Sequence, residues 1–182
     1  MKFIKTDVNN LLIIEPIVIG DNRGWFTESY NQEIFHQNEL NFNFIQDNHS
    51  YSVNKGVLRG LHFQNTPHDQ TKLVRCTRGR IWDVAVDLRK SSPTYLKWFG
   101  LELSAKNHQM LLIPKGFAHG FITLEEDCEV QYKVDKVYNK ASDRSIKYND
   151  PNINIIWPFM DVLLSEKDKN APLLKDSDVN FL

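Results

Sequence analysis

The chain has 182 residues, and 22 Lys and Arg against 23 Asp and Glu give a formal net charge of −1 at pH 7. This length fits one domain, residues 1–182, with an N-terminal strand region and a short C-terminal helical segment. The scattered charge provides no field that would attract nucleic acid or a membrane surface. There is no apolar stretch of transmembrane length or signal-peptide type. Two isolated cysteines, Cys76 and Cys128, indicate buried free thiols, so we expect a soluble cytoplasmic protein.

Short runs rich in β-branched and aromatic residues dominate the chain and are separated by turn signals such as Gly20 to Gly24. Regularly spaced short strands favour an antiparallel sandwich or barrel. In chain order the predicted strands are Leu11 to Ile19, Trp25 to Tyr30, Phe42 to Gln46, Lys72 to Cys76, Ile81 to Leu88, Leu96 to Leu103, Met110 to Ile113, Gly120 to Leu124 and Glu129 to Val137.

Helices are predicted at only three places. Asn31 is suited to cap a helix over residues 31–40, whose apolar side chains Ile34, Phe35 and Leu40 would pack against the sheet. A short helix is expected around residues 160–164, and a single turn over residues 165–169.

The segment from Gly56 to Gln64 places His62 inside an apolar, strand-like run, with Arg59 just before it. Burial disfavours the charged imidazolium, so a neutral imidazole here is a plausible general base. Considered alone, such a segment is more often explained by a hydrogen-bonded core histidine. Strict alternation would direct Arg59 and His62 to opposite faces, so a bend or bulge is expected at Gly60.

The segment from Lys72 to Leu88 is predicted to form a hairpin that turns at Arg78-Gly79. Alternation then places Lys72, Val74, Cys76, Ile81, Asp83 and Ala85 on one face. Lys72 and Asp83 become diagonal neighbours in this hairpin. The pair is either an exposed ion pair of little consequence or an inward lysine poised to stabilise a developing negative charge.

A second hairpin is predicted over residues 114–135. If its turn is centred at Glu125-Glu126, His119 faces Tyr132, but a shift of one residue would separate them. A tyrosine in such an interior can donate a proton to a carbanionic carbon, although a core tyrosine with a satisfied hydroxyl is common.

The pattern Pro-x-Gly-x-x-His from Pro114 to His119 resembles the second half of the cupin signature, found in small β-barrels that often bind metal. The first half requires His-x-His and a glutamate, where this chain has His62-Phe63-Gln64. At most two of the expected ligands remain. We therefore expect a cupin-type jelly-roll barrel, mainly β with a few short helices, that holds no metal.

With these pieces in order, the chain resembles the dTDP-4-dehydrorhamnose 3,5-epimerase family of nucleotide-sugar enzymes. The likeness runs through nearly the whole sequence. The segments that carry it are Asp21 to Glu28, Phe44 to Ser50, Gly56 to Gln64, Lys72 to Leu88, Ile113 to Phe121, Tyr148 to Pro151 and Leu164 to Asp168.

The resemblance implies a nucleoside-diphosphate 4-keto-6-deoxyhexose as substrate, with epimerisation at C3 and C5 and no redox cofactor. It implies that His62 is the base, that Asp168 orients it, and that Tyr132 is the acid on the far face. Lys72 would stabilise the enolate oxygen, and His119 would line the sugar pocket. Family members are dimers that exchange N-terminal strands, so a homodimer is expected.

The same resemblance implies a set of substrate-binding residues for the nucleotide, the pyrophosphate and the sugar. These are Arg23, Phe26, Glu28, Gln46, Asp47, Asn48, Arg59, His119, Tyr138, Asp143 and Lys167. Arginine suits phosphates because its planar fork donates two parallel hydrogen bonds. Asp143 stands where the family more often has Glu, and the loop 65–71 departs from the family pattern, so the base or the sugar can differ.

Several alternatives stay open on the sequence. One is an epimerase of C3 or C5 alone, and another is an enzyme for a different nucleotide sugar, such as a GDP-4-keto-heptose. A metal-dependent cupin enzyme and a non-catalytic sugar-nucleotide binding module represent other classes. The carboxylate nearest His62 is either Asp168 or Asp83.

Overall fold

The computed structural model describes all 182 residues and consists mainly of antiparallel strands in two large sheets. The strands are β1 Lys2–Lys5, β2 Leu12–Glu15, β3 Val18–Asp21, β4 Gly24–Thr27, β5 Gln46–Ser52, β6 Leu58–Gln64, β7 Lys72–Arg78, β8 Arg80–Asp87, β9 Trp98–Ser104, β10 Met110–Ile113, β11 Phe117–Thr123, β12 Cys128–Val134 and β13 Asp143–Ser145. The helices are α1 Gln32–Gln37 and α2 Glu166–Lys169, and a 3-10 turn covers Leu174–Asp176. Neither helix has the length or the apolar composition that a membrane-spanning helix requires.

The two sheets pack face to face as a jelly-roll barrel, which confirms the predicted fold class. The first sheet has the order β1-β2-β10-β7-β12-β5, and the second has the order β13-β6-β11-β8-β9. Buried side chains from both sheets, among them Val74, Ala85 and Leu111, form the core between them. Strands β3 and β4 form a separate two-stranded ribbon.

Two further clusters cover the outer faces of the sheets. Phe35 of α1 packs with Leu73 and Met110 on the first sheet. Trp157 and other residues of the C-terminal segment cover Val84 and Val86 of the second. The C-terminal segment is thereby held beside β6, where α2 ends up next to the barrel interior.

Both predicted hairpins are wrong in their strand pairing. Strand β7 pairs with β10 and β12, whereas β8 pairs with β11 and β9, so the chain crosses between the sheets at Gly79. In the same way β11 pairs with β6 and β8, and β12 with β5 and β7. The predicted faces are nevertheless correct, because alternate residues on two facing strands also point into the shared core.

The helix predictions have mixed outcomes. The Asn31 side chain caps α1 by accepting hydrogen bonds from the backbone of Glu33 and Ile34, but the helix ends at Gln37. The turn after Ser165 is confirmed as α2. The helix predicted over residues 160–164 is wrong, because the Leu163 backbone instead hydrogen-bonds to Gly56 and Leu58. The strand predicted over 42–46 begins only at Gln46.

Candidate active site

A cavity of about 750 Å³ opens from the barrel interior and gathers side chains from both sheets and from the C-terminal segment. Most of the predicted site residues line it. They are Gln46, Asn48, Arg59, His62, Lys72, His119, Tyr132, Tyr138, Asp143, Lys167 and Asp168. They come from six strands, one loop and one helix, so the barrel brings together residues that are far apart in the sequence.

His62 and Asp168 form a short hydrogen bond, with 2.5 Å between His62 Nε2 and Asp168 Oδ1. The His62 side chain is 32% exposed, while that of Asp168 is only 3% exposed. Burial raises the pKa of Asp168, but the hydrogen bonds from His62 and Ser165 outweigh it and hold the pKa below its usual value. Asp168 therefore stays ionised and orients the ring of His62, which settles which carboxylate is its partner.

Ser165 positions Asp168 in two ways. Its Oγ accepts the backbone N–H of Asp168 at 3.1 Å as the cap of α2, and it also donates to Asp168 Oδ2 at 2.9 Å. The sequence prediction missed Ser165, although the Ser-x-x-Asp spacing is a helix-start signature that would have indicated it.

A β-bulge in β6 places His62 and Arg59 on the same cavity wall. His62 pairs with His119 and Arg59 pairs with Phe121, so three steps along β6 match two along β11. Gly60 has φ +142°, and a Cβ there would lie 2.5 Å from the Cα of Gly120. The bend predicted at Gly60 is confirmed, because only glycine allows this conformation and this close approach.

Lys72 is nearly buried in the opposite wall of the cavity. Burial lowers the pKa of Lys72 to about 8, against the opposing charges of Asp83 and Asp143. Nearby, His119 Nε2 lies 2.9 Å from Oδ2 of Asp83, which is fully buried. The alternative partner considered for His62 thus belongs to His119.

Tyr132 reaches the cavity from β12, on the sheet that faces β6. Burial raises the pKa of Tyr132, and the charge of Arg59 only partly opposes this. Its hydroxyl therefore keeps its proton at neutral pH. His62 and Tyr132 enter one cavity from opposite sheets.

The open end of the cavity is polar. Lys167 Nζ lies 2.6 Å from Asp143 Oδ2, and the Tyr138 hydroxyl donates to the same oxygen at 3.2 Å. Gln46 accepts the backbone N–H of Tyr138 and donates to Asn48. Arg59 also lines the cavity, and its guanidinium donates to the Tyr51 carbonyl at 3.0 Å and to Ser52 Oγ at 3.3 Å.

Four predicted binding residues do not line this cavity. Arg23 is on the β3–β4 ribbon with its side chain 85% exposed, and Phe26 beside it is 68% exposed. Glu28 follows the ribbon and accepts a hydrogen bond from Asn31. Asp47 is directed to the other face of β5, where it pairs with Lys133 at 2.9 Å.

No group of three or more His, Cys, Asp or Glu side chains is arranged to hold a metal ion. The residue two positions after His62 is Gln64, whose amide donates to the His68 carbonyl at 2.6 Å and accepts from the Asn139 backbone at 2.7 Å. Through these two hydrogen bonds Gln64 connects the loop that contains His68 with the loop that contains Asn139.

A histidine bonded to a buried carboxylate, facing a protonated tyrosine across a cavity, is typical of enzymes that move protons by general acid–base catalysis. Comparison with known proteins shows to which family of such enzymes the chain belongs. The family model for dTDP-4-dehydrorhamnose 3,5-epimerase matches residues 5–176. The chain belongs to this family of nucleotide-sugar isomerases.

Individual relatives agree with the family match. The chain is 53% identical to the dTDP-4-dehydrorhamnose 3,5-epimerase of Salmonella typhimurium over 96% of both chains. The crystal structure of the Bacillus anthracis enzyme with TDP and PPi bound is 48% identical, with a TM-score of 0.93 over 95% of this chain and 99% of that one. The structure of dTDP-6-deoxy-D-glucose-3,5-epimerase from Legionella pneumophila in complex with dTDP-4-keto-L-rhamnose is 44% identical, with a TM-score of 0.93 over 97% and 94% of the two chains.

Proposed function

We propose that this protein epimerises C3 and C5 of dTDP-4-dehydro-6-deoxyglucose and releases dTDP-4-dehydrorhamnose. The observation that carries the proposal is the approach of His62 and Tyr132 to one cavity from opposite sheets. Inversion at carbon needs a proton removed from one face of the sugar and another delivered to the opposite face.

The C4 ketone of such a substrate makes the hydrogens at C3 and C5 acidic, because each carbanion is stabilised as an enolate. His62 is the base, and Asp168 stabilises the imidazolium that forms when His62 accepts the proton. The 2.5 Å hydrogen bond between them supports this assignment. The same pair can act at both carbons, one after the other.

Lys72 stabilises the enolate oxygen. Its ammonium is nearly buried, and a positive charge in a water-poor site acts strongly on a developing negative charge. Because the pKa of Lys72 is about 8, the charged form is present at neutral pH and is lost as the pH rises through that value.

Tyr132 delivers the proton to the opposite face. Its raised pKa supports this role, because a donor must hold its proton until the enolate is formed. After the transfer, the tyrosinate is favoured by Arg59, whose positive charge opposes the effect of burial on the Tyr132 pKa.

The nucleotide and its phosphates bind at the polar opening. Arg59 and Lys167 are the cations there, and Tyr138 offers an aromatic ring that is 57% exposed for stacking on a base. Gln46, Asn48 and Asp143 provide the remaining polar contacts.

We also infer a homodimer in which the β3–β4 ribbon of one subunit completes the nucleotide site of its partner. The ribbon and the residue before it expose Ile17, Ile19, Trp25 and Phe26, each at least 60% accessible, an apolar surface that favours association. Mixing subunits tests this arrangement. Dimers that combine an Arg23→Ala subunit with a His62→Ala subunit should regain a complete site and turn over faster than either variant alone. Unchanged activity on mixing would count against the exchange.

The proposed compartment is the cytoplasm. Cys76 and Cys128 are both buried and free, as expected for a protein that folds in a reducing environment.

Incubation with dTDP-4-dehydro-6-deoxyglucose in deuterated water tests the proposed reaction. Deuterium at both C3 and C5 of the product is expected. Label at only one carbon would indicate a single-centre epimerase, and absence of label and of product would overturn the proposal.

A further inference from the structure

Asp83 has an unusual environment for a carboxylate. It is fully buried on β8, and one of its oxygens, Oδ2, lies 2.9 Å from His119 Nε2. The other oxygen, Oδ1, is buried and has no hydrogen-bond partner in the protein. Leaving a buried charged acceptor unpaired is costly, so a nearby positive charge is needed to compensate.

Lys72 on the facing sheet carries a positive charge that interacts with Asp83. Its side chain is nearly buried, and its ammonium forms no ion pair or hydrogen bond within the protein. Burial dominates and lowers the pKa of Lys72, and Asp83 is the strongest of the charges that oppose this. Asp83 Oδ1 and the Lys72 ammonium each lack another close partner, so each group can stabilise the charge of the other across the two sheets.

The other titratable groups around Lys72 do not replace Asp83. Asp143 of β13 also acts on Lys72, but it is already paired with Lys167, whose positive charge acts in the opposite sense. Asp168 is already hydrogen-bonded to His62. The remaining cavity groups that can carry charge are Arg59 of β6, Tyr132 of β12 and Tyr138 at the opening.

We propose that Asp83 is a positioning residue that serves two side chains of the cavity, fixing the tautomer of His119 and supplying the counter-charge that keeps Lys72 protonated. This inference rests on the proposed function, in which Lys72 stabilises the enolate. Because Asp83 accepts the N–H of Nε2, a neutral His119 ring has no proton on Nδ1. That nitrogen is then an acceptor for a sugar hydroxyl, while Lys72 remains the donor to the C4 oxygen.

The pH dependence of kcat/KM distinguishes this role from a merely structural one. The wild-type rate should fall above about pH 8 as Lys72 loses its charge. In Asp83→Asn the alkaline limb should move to lower pH by about one unit or more, because an opposite charge has been removed. Asp83→Glu keeps the charge and should keep the limb near its wild-type position, even if turnover is reduced.

Asp87→Asn is the matched control. Asp87 is on the same strand and is equally buried, but it binds Arg89, Ser92 and Thr94 away from the cavity. Its replacement should cost stability and leave the alkaline limb in place. An alkaline limb in Asp83→Asn that coincides with the wild-type limb would overturn the proposal.

Two measurements by NMR need neither substrate nor a variant that replaces Asp83. In wild-type protein, the nitrogen shifts of His119, assigned by difference from His119→Gln, should show the Nε2–H tautomer. The Lys72 side chain, assigned with Lys72→Arg, should titrate near pH 8. An Nδ1–H tautomer, or a Lys72 titration well below that pH, would overturn the proposal even if the epimerase reaction is confirmed.

Discussion

Replacement of Asp168 by Asn removes the charge that supports the proposed base while keeping the shape of the side chain. Asp168 Oδ1 lies 2.5 Å from His62 Nε2, and Ser165 Oγ contacts the other oxygen. An amide can keep one of these contacts but cannot stabilise the imidazolium that forms when His62 accepts a proton. We expect a folded protein with a much lower kcat.

The size of the loss follows from the geometry. Two unit charges about 4 Å apart interact with about 4 kcal/mol at an effective dielectric constant of about 20. Because about 1.4 kcal/mol changes a rate tenfold, complete loss of this interaction corresponds to about 10³-fold. The His62 side chain is 32% exposed, so water recovers part of the interaction. We therefore expect kcat to fall about 10²- to 10³-fold.

The assay is steady-state turnover, with dTDP affinity measured separately by calorimetry. Nucleotide affinity should change little, because Asp168 is buried behind His62 rather than at the polar opening. Glu166→Gln is the matched control, since it removes a carboxylate from the same helix that pairs only with Lys169. Turnover of Asp168→Asn at the rate of Glu166→Gln would refute the reasoning.

Three further predictions concern stability, capping and thiol chemistry. Gly60→Ala should lower the free energy of unfolding by about 2 kcal/mol or more, because its Cβ would meet Gly120 at 2.5 Å, whereas Gly20→Ala should be near neutral in urea unfolding. Ser165→Ala removes both hydrogen bonds to Asp168, so it should cost about 1 kcal/mol of stability and reduce kcat about fivefold. Ser165→Thr keeps the hydroxyl and should restore both quantities. An unchanged kcat in the alanine variant would contradict this. Burial raises the pKa of the Cys76 thiol to about 12 and also raises that of Cys128, so neither should react with a disulfide reagent until urea is added, and rapid native labelling would contradict the burial.

Local patterns in the sequence predicted which side chains are inward but not which strands are neighbours. Lys72 and Asp83 do face the same interior, yet they lie on opposite sheets rather than on one hairpin. Alternation has the same period in both arrangements, and the short connection at Gly79 permits either one. The pairing is decided by contacts with β10, β11 and β12, which are distant in sequence.

The bulge at Gly60 was predictable from Arg59 and His62. Strict alternation would direct these two side chains to opposite faces of the strand, but both were expected at the same site. The helix predicted over 160–164 failed for the converse reason. Its apolar residues suit a helix, but the backbone of Leu163 is held by Gly56 and Leu58 more than a hundred residues earlier. Tertiary hydrogen bonds outweighed local preference.

The pairing of His62 with Asp168 illustrates the same limit at the site. The two residues are 106 positions apart, and no periodicity links them. Only the family resemblance indicated the pair, and the residues alone left Asp83 as an equal candidate. The role of Ser165 was within reach of sequence reasoning, because a serine three residues before an aspartate is a recognisable helix start.

The most direct test of the central claim is the fate of the substrate hydrogens in Tyr132→Phe incubated in deuterated water. His62 remains partly exposed to solvent, so it should still remove the proton and exchange it. We predict that deuterium enters the substrate with retention of configuration and that little epimerised product forms. Epimerisation at the wild-type rate in Tyr132→Phe would contradict proton transfer on two opposite faces by His62 and Tyr132.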